Sequence, residues 1–174
     1  MKALVTGAGG FVGGNLVRRL LSLNYEVTAL SRSGRLDFSH DQLSSVAADI
    51  TSPAALPPLF KHHDIVFHLA GTVAYSKIQH QKMVLNNVIG TANVIEGCRL
   101  SQVPKLFYMS SVVAIGAGFS PDQVLDESSA YNISHLNLGY FETKHRAENL
   151  VLEAHKKGDV EAFLANPSTI YGPG

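Results

Sequence analysis

The sequence predicts an α/β fold in which helices cover both faces of a doubly wound parallel sheet. The first supporting observation is the alternation of short apolar runs with longer amphipathic runs along the 174 residues, which is typical of repeated strand–helix units. The second is a glycine-rich stretch, VTGAGGFVGG at residues 5–14, which joins the first apolar run to the first amphipathic run. The third is the run at residues 64–70, which is mostly apolar, as in a parallel strand buried on both faces.

The same patterns give the order of the elements. Strands are predicted at residues 2–6, 25–30, 45–48, 64–70, 105–109 and 160–165, and helices at residues 11–23, 53–60, 79–100 and 139–158. In the third helix, the spacing directs Val84, Val88, Ala92 and Ile95 toward the core. Residues 112–138 lack periodicity and are expected to form a long loop, which is usually functional or disordered. Residues 1–174 are predicted to form one domain.

Composition narrows the classes of function. Lys plus Arg number 14 and Asp plus Glu number 14, so no net field attracts nucleic acid or an anionic membrane. Cys98 is the single cysteine, which excludes an internal disulfide and a thiolate metal cluster and fits a reducing compartment. No apolar run approaches membrane-spanning length. We therefore expect a cytoplasmic protein that has no metal site and binds neither nucleic acid nor a membrane.

The glycine-rich stretch carries the first candidate binding site. Gly7, Gly10 and Gly13 allow the backbone to turn tightly out of the strand and to approach a diphosphate more closely than a Cβ would permit. The helix that follows directs its unpaired N–H groups and the positive end of its dipole at the anion. The spacing is Gly-x-x-Gly-x-x-Gly, and a glycine-rich turn without a ligand remains the alternative.

The end of the second predicted strand bears on the choice of dinucleotide. A site for NAD would carry Asp or Glu there, whereas this chain has Ser31-Arg32-Ser33-Gly34-Arg35. The Arg32 guanidinium matches a ribose 2′-phosphate through paired, charge-assisted hydrogen bonds. The sequence therefore predicts NADP, with NAD as the alternative cofactor. Solvated arginines in a surface loop are the other interpretation.

Polar or glycine residues follow three further strands, at the edge where ligands bind in open α/β sheets. Asp49 is placed to accept from an adenine amino group, or else it caps a helix. Gly71 allows the main chain to lie against the ribose on the nicotinamide side, or else it is a plain turn glycine. Ser110 and Ser111 end the fifth strand, so their hydroxyls are expected at the ligand crevice.

Tyr140 and Lys144 are four residues apart on a predicted helix and therefore share one face. An ammonium beside a phenol favours phenolate, so we expect Lys144 to lower the pKa of Tyr140. Tyr140 would then exchange a proton with a carbonyl or alcohol oxygen, Ser111 would hydrogen-bond the same oxygen, and Lys144 would also hold the ribose hydroxyls. An ordinary pair on a helix surface is the alternative.

Taken together, these motifs resemble those of the extended short-chain dehydrogenases/reductases, the NAD-dependent epimerase/dehydratase superfamily. The matching segments are distributed along the whole chain. They are TGAGGFVGG, ADI, HLAG, NNVIGT, MSSV, YFETK and NPSTIYGPG. Within the family, SRSG after the second strand and the NPST ending resemble the dihydroflavonol-reductase-like branch. The resemblance implies a Rossmann-type dinucleotide-binding domain with Ser111, Tyr140 and Lys144 as its catalytic residues.

The resemblance also assigns cofactor contacts. It implies that the diphosphate is lined by Gly7, Gly10, Phe11 and Val12, the adenine by Asp49 and Ile50, and the ribose by Leu69, Ala70 and Gly71. It implies that Asn87 supports the nicotinamide side, that the carboxamide lies near Pro167, Ser168, Thr169 and Ile170, and that Tyr140 and Lys144 also contact the cofactor. A homodimer packed through the long helices near Val94 and Ala147 is implied as well. The resemblance further implies a C-terminal portion that forms most of the substrate pocket, and the 174 residues do not include the expected portion.

The leading functional hypothesis is the nucleotide-binding half of an NADP-dependent oxidoreductase that reduces a ketone or aldehyde on a small metabolite. A nucleotide-sugar epimerase or dehydratase with tightly retained NAD would use the same residues. A non-catalytic dinucleotide-binding module is the third hypothesis, which the length of the chain favours and the intact Ser, Tyr and Lys oppose.

Overall fold

Six strands form one parallel sheet in the computed structural model, which describes residues 1–173. They are β1 (Lys2–Thr6), β2 (Glu26–Ser31), β3 (Leu43–Ala47), β4 (Ile65–His68), β5 (Lys105–Met109) and β6 (Glu161–Ala165). Their order across the sheet is β3-β2-β1-β4-β5-β6, and every neighbouring pair is parallel. The order reverses between β1 and β4, which opens a crevice at their carboxyl ends. The predicted doubly wound sheet is confirmed.

The helices alternate with the strands. They are α1 (Phe11–Ser22), α2 (Pro57–Phe60), α3 (His80–Met83), α4 (Gly90–Leu100) and α5 (Gly139–Lys157), with a π-helical segment at Val84–Ile89 between α3 and α4. Short 3₁₀ turns lie at Pro53–Ala55, Lys77–Gln79, Val112–Ala114 and Ser134–Leu136. The helix predicted at residues 53–60 is reduced to a 3₁₀ turn and the single turn of α2, because Pro57 and Pro58 lack the N–H that a continuous helix requires.

Two apolar cores lie on opposite faces of the sheet. Along β1, the side chain of Leu4 belongs to the core under α4 and α5, whereas those of Ala3 and Val5 belong to the core under α1. β2 alternates in the same way, with Leu30 in the first core and Ala29 in the second. Since successive side chains of a strand point to opposite faces, this alternation packs helices on both sides.

A row of phenylalanines crosses the sheet on the face that α1 partly covers. Phe67, Phe107 and Phe163 are aligned in register on β4, β5 and β6, and the first two rings are 5.7 Å apart between centroids. Phe163 on the edge strand is 46% exposed. The described residues therefore leave the β6 end of this face partly uncovered.

The buried face of the helix predicted at residues 79–100 differs from the predicted face by one residue. A regular helix would direct Val84, Val88, Ala92 and Ile95 inward, but of these only Val88 is fully buried. The buried positions include Met83, Asn87, Thr91 and Val94, each one residue before a predicted position. The prediction was wrong by one residue in register, and this offset is already present at Met83, before the wide turn at Val84–Ile89.

The side chains of Val94 and Ala147, near which a dimer is predicted, lie in the core of the chain itself. Both side chains are 0% exposed and belong to the core beneath α4 and α5. They pack within one chain, because α4 and α5 lie side by side over β5. A homodimer through these helices remains a prediction, and it would have to use their other faces.

The loop at residues 112–138 is anchored to the rest of the fold. The Asn132 side chain accepts from the Ala117 N–H at 3.0 Å and donates to the Ala117 carbonyl at 2.9 Å. The Tyr131 ring stacks on His145 of α5 with 4.0 Å between centroids. The two hydrogen bonds close the loop on itself, and the stacking holds it against α5, beside the candidate site.

Candidate active site

The glycine turn between β1 and α1 depends on two close backbone contacts. Gly7 has φ +71°, and a Cβ there would lie 2.7 Å from the backbone nitrogen of Ala70. A Cβ on Gly13 would lie 2.2 Å from the carbonyl oxygen of Gly7. Gly10 is the N-cap of α1 and caps it without a side chain, so the N–H groups of the first turn face the crevice. This geometry fits a bound diphosphate.

A cavity of ≈ 390 Å³ begins at this turn, and we call it the nucleotide groove. It runs past the carboxyl ends of β2, β3 and β4. The structure brings together in it most of the predicted nucleotide contacts, namely Gly7, Gly10, Arg32, Asp49, Ile50, Leu69, Ala70 and Gly71. Phe11 instead lines the neighbouring cavity with Arg35, and Val12 is half-buried and lines neither cavity.

Asp49 makes local bonds at the edge of the groove. Its Oδ1 accepts from the backbone N–H and from the hydroxyl of Thr51, each at 2.8 Å. These bonds lower the pKa of Asp49, and the positive charge of Arg32 adds a smaller effect in the same direction. Asp49 therefore caps the turn after β3 while it also lines the groove.

A second cavity of ≈ 520 Å³ holds the candidate catalytic residues, and we call it the catalytic cavity. Its lining includes Asn87, Ser111, Tyr140, Lys144, Pro167, Ser168, Thr169 and Ile170. Leu69, Gly71 and Thr72 line both this cavity and the nucleotide groove. The two spaces are therefore neighbours across the end of β4, as a dinucleotide that reaches from one to the other requires.

Tyr140 and Ser111 face each other in the catalytic cavity. Burial raises the pKa of the Tyr140 phenol, and the nearby Ser111 hydroxyl opposes that rise. The expectation that Lys144 lowers this pKa was wrong, because the Lys144 ammonium is bonded to other groups. The Tyr140 phenol is therefore protonated at neutral pH, which is the state required of an acid.

Lys144 lies on the same face of α5 but is turned toward β5. Its Nζ donates to the Met109 carbonyl at 2.6 Å and to the Tyr108 hydroxyl at 3.2 Å, and it lies 4.7 Å from the centroid of the Tyr108 ring. Burial lowers the pKa of Lys144 to about 8, and the negative charge of Glu148 opposes this effect. Nearly all of the residue is buried, with 7% exposed.

Asn87 joins three elements at the back of the catalytic cavity. Its Oδ1 accepts from the Thr72 N–H at 2.7 Å, and its Nδ2 donates to the Thr72 carbonyl at 2.9 Å and to the Thr143 hydroxyl at 3.1 Å. These bonds tie the segment after β4 to α5. Asn87 thus shapes the cavity through bonds within the protein.

His68 is a buried polar residue that the motif-based predictions left without a role. Thr91 donates to the Asn87 carbonyl at 2.6 Å, so its oxygen accepts from the Nε2–H of His68 at 3.0 Å. The Nδ1 of His68 then accepts from the Thr6 hydroxyl at 2.7 Å. Burial, together with the nearby charge of Lys144, lowers the pKa of His68 to about 3. In the sequence, this network is indicated only by the presence of a histidine within an apolar strand.

The neutral state of His68 predicts acid sensitivity. Because the pKa of His68 lies below its ordinary value only in the folded state, the unfolded chain gains a proton first as the pH falls below 6.5. The free energy of unfolding should then fall by up to about 1.4 kcal/mol per pH unit between pH 6.5 and pH 3. Urea unfolding at pH 7, 6 and 5 measures this slope.

His68→Asn should remove most of the slope between pH 6.5 and 5. The matched change His135→Asn, at an exposed loop position, should leave it in place. Equal slopes in the two variants would contradict a buried, neutral His68.

Cys98 offers no nucleophile to either cavity. It is buried in the core under α4 and α5, and burial raises the pKa of its thiol to about 12. Among residues 1–173, no group of three or more His, Cys, Asp or Glu side chains is arranged to hold a metal ion. No helix in this described part of the chain has the length and apolarity needed to cross a membrane.

Comparison with known proteins identifies the family that has this fold and these two cavities. The model of the NAD-dependent epimerase/dehydratase family matches residues 3–174. The chain belongs to this family. The relatives that match this chain are extended short-chain dehydrogenases/reductases. The resemblance predicted from the motifs is therefore confirmed.

The relatives include reductases of this family. A 2-alkyl-3-oxoalkanoate reductase of Shewanella oneidensis is 30% identical over 177 residues, which cover 98% of this chain and 45% of the relative. A dihydroflavonol 4-reductase-like protein of Synechocystis sp. is 33% identical over 171 residues, which cover 97% of this chain and 49% of the relative. The chain therefore spans about half the length of the curated relatives that it matches.

Solved structures of the family have the same architecture. The UDP-glucuronic acid 4-epimerase from Bacillus cereus, in complex with NAD, is 26% identical, with a TM-score of 0.82 over 99% of this chain and 58% of that chain. A reductase engineered to attenuate substrate inhibition is 26% identical, with a TM-score of 0.88 over 99% of this chain and 59% of its own. This chain of the epimerase/dehydratase family thus has the parallel, Rossmann-like sheet of these structures and aligns with somewhat more than half of their length.

Proposed function

We propose that this chain is the nucleotide-binding, catalytic-residue half of an NADP-dependent reductase that acts on a ketone or aldehyde. The observation that carries the proposal is the single cavity in which Ser111, Tyr140 and Lys144 meet, next to the nucleotide groove. The cofactor, when bound, supplies the hydride. The residues of this chain supply the proton, the hydrogen bonds and the alignment.

Tyr140 acts as the acid in this scheme. Its raised pKa keeps the phenol protonated, so the phenol can donate its proton to the carbonyl oxygen as that oxygen gains charge. The Ser111 hydroxyl donates a hydrogen bond to the same oxygen. A further cavity of ≈ 440 Å³, lined mainly by apolar side chains such as Met83 and Leu138, also reaches Tyr140 and has room for the substituents of the carbonyl.

Lys144 is held in place to bind the ribose of the cofactor. Its ammonium is fixed by the Met109 carbonyl and the Tyr108 hydroxyl, and the third N–H remains to donate to ribose hydroxyls in the catalytic cavity. Lys144 thus serves to position the cofactor, and it does not lower the pKa of Tyr140.

The preference for NADP rests on the end of β2. Arg32 lines the nucleotide groove between Ser31 and Ser33, across from Asp49. A guanidinium in this position can bind a ribose 2′-phosphate, whereas no carboxylate follows β2 directly to accept from a 2′-hydroxyl. Arg35 lines the neighbouring cavity at the start of α1.

An NAD-dependent epimerase or dehydratase acting on a nucleotide sugar is the second candidate. The likeness to the UDP-glucuronic acid 4-epimerase, whose structure contains NAD, supports it. Such an enzyme would use the same Tyr140, Ser111 and Lys144, with hydride removed and returned within one cycle. The two candidates differ in which dinucleotide the groove prefers.

Isothermal titration of this chain with NADPH and with NADH distinguishes the two candidates. We expect tighter binding of NADPH, and we expect Arg32→Ala to weaken it by roughly 10- to 100-fold while NADH affinity stays the same, because the lost bonds join two charged groups. Arg19→Ala removes an equal charge from the exposed last turn of α1 and should change neither affinity. Preference for NADH would favour the epimerase candidate, and absence of binding to either would contradict a working groove.

A further inference from the structure

The carboxylate of Glu148 lies at a junction beneath the catalytic cavity. Glu148 follows Lys144 by four residues on α5, so the two share one face of the helix. Its Oε2 accepts from the Ser110 hydroxyl and, at 2.7 Å, from the Asn166 side-chain amide. The same amide donates to the Ser111 carbonyl at 3.2 Å. One carboxylate therefore connects α5 with the segments that follow β5 and β6.

Those two segments carry the residues of the catalytic cavity. Beyond the sheet they continue side by side, because the Ser110 N–H donates to the Ala165 carbonyl at 2.8 Å and the Val112 N–H donates to the Pro167 carbonyl at 3.1 Å. Ser110 is only 4% exposed, so its hydroxyl would lose a buried partner without Glu148. Such a loss is costly enough to move the Ser111 backbone.

Glu148 also acts on the charge of Lys144. The ionisable groups facing Lys144 are His68 from β4, Tyr108 from β5, and Tyr140 and Glu148 from α5 itself. Burial keeps His68, Tyr108 and Tyr140 neutral at pH 7. Glu148 supplies the negative charge that raises the pKa of Lys144 against the effect of burial.

We propose that Glu148 is a positioning residue of this site, which holds the Ser111 and Asn166 segments against α5 and places its negative charge one helical turn from the Lys144 ammonium. Its importance for the reaction rests on the proposed function. Its effect on Lys144 concerns the chain alone and needs no cofactor.

The test is the titration of Lys144 itself. The chain is labelled with ¹³C at the lysine Cε positions, the Lys144 resonance is assigned by its loss in Lys144→Arg, and its shift is followed against pH. We expect Glu148→Gln to move the Lys144 midpoint to lower pH by about one unit, because the variant retains the shape and removes the charge. Glu153→Gln removes an equal charge from the same helix, at an exposed site paired with Lys157, and should leave the midpoint in place.

An unchanged Lys144 midpoint in Glu148→Gln would overturn the proposal, even if the variant were less stable, since Glu148 would then be structural only. If Glu148→Gln does not fold, Glu148→Asp serves instead. It retains the charge but shortens the side chain, so the midpoint should stay near that of the unchanged chain while the Asn166 side-chain amide resonance moves. No movement of that resonance would overturn the proposal. Failure of NADPH to bind the unchanged chain would contradict the proposed function and leave this titration intact.

Discussion

Tyr140→Phe should reduce NADPH-dependent carbonyl reduction by about 10³-fold while NADPH affinity stays unchanged, because the change removes one oxygen that acts only on the reacting group. The phenol lies in the catalytic cavity with Ser111 and is protonated at neutral pH, so it is available as a proton donor. The measurement is the rate of NADPH oxidation with a panel of ketones and aldehydes, in a protein that extends this chain to the length of its relatives.

Tyr131→Phe provides the matched control for that experiment. Tyr131 stacks on His145 outside the catalytic cavity, so removal of its hydroxyl should leave the rate within about twofold of the original. A Tyr140→Phe protein with the original rate would contradict the mechanism. If the unchanged, extended protein binds NADPH tightly but oxidises it with no carbonyl compound, the non-catalytic dinucleotide-binding module becomes the better interpretation.

Gly13→Ala should destabilise the fold by about 3 kcal/mol, because the new methyl group meets backbone atoms that cannot move aside. The added Cβ would lie 2.2 Å from the Gly7 carbonyl oxygen and 2.8 Å from the Ala8 Cα. Both atoms belong to the glycine turn, so any relief would push α1 away from β1. Urea unfolding gives the change in the free energy of unfolding.

Gly14→Ala tests the same chemical change one residue later. The nearest atom to its Cβ would be 3.6 Å away, and alanine is the better helix former, so this variant should be as stable as the original or more stable by up to about 1 kcal/mol. Equal losses in Gly13→Ala and Gly14→Ala would mean that α1 does not pack on the turn as closely as described.

Local sequence patterns were enough to predict the sheet, as well as α1 and α5. Apolar runs identified all six strands, and the glycine turn identified where β1 passes into α1. The strand predicted at residues 64–70 is shorter in the structure, with β4 ending at His68. Leu69 and Ala70 leave the sheet because their N–H groups bond to the carbonyl and the hydroxyl of Thr6, which turns the chain along the groove.

The sequence predicted which residues line the candidate site better than it predicted their charges and orientations. Ser111, Tyr140 and Lys144 could be identified because strand ends and helical spacing are local properties. The orientation of Lys144 could not, since it depends on Tyr108 and Met109, which lie 36 and 35 residues earlier in the chain. The roles of His68 and Glu148 likewise come from partners that only the folded chain brings into contact.

The wide turn at Val84–Ile89 has a consequence for how this fold tolerates changes in length. His80 and Met83 pack against Gly139 before the turn, and Val94 and Cys98 enter the core after it. A π turn contains one residue more than the α turn it replaces, so deletion of that residue would restore a regular helix without displacing either flank. Such a deletion would spare both packing surfaces and remove the bonds of Asn87 to Thr72. In this chain, we therefore expect a one-residue deletion in this turn to alter the catalytic cavity while the scaffold around it remains in place.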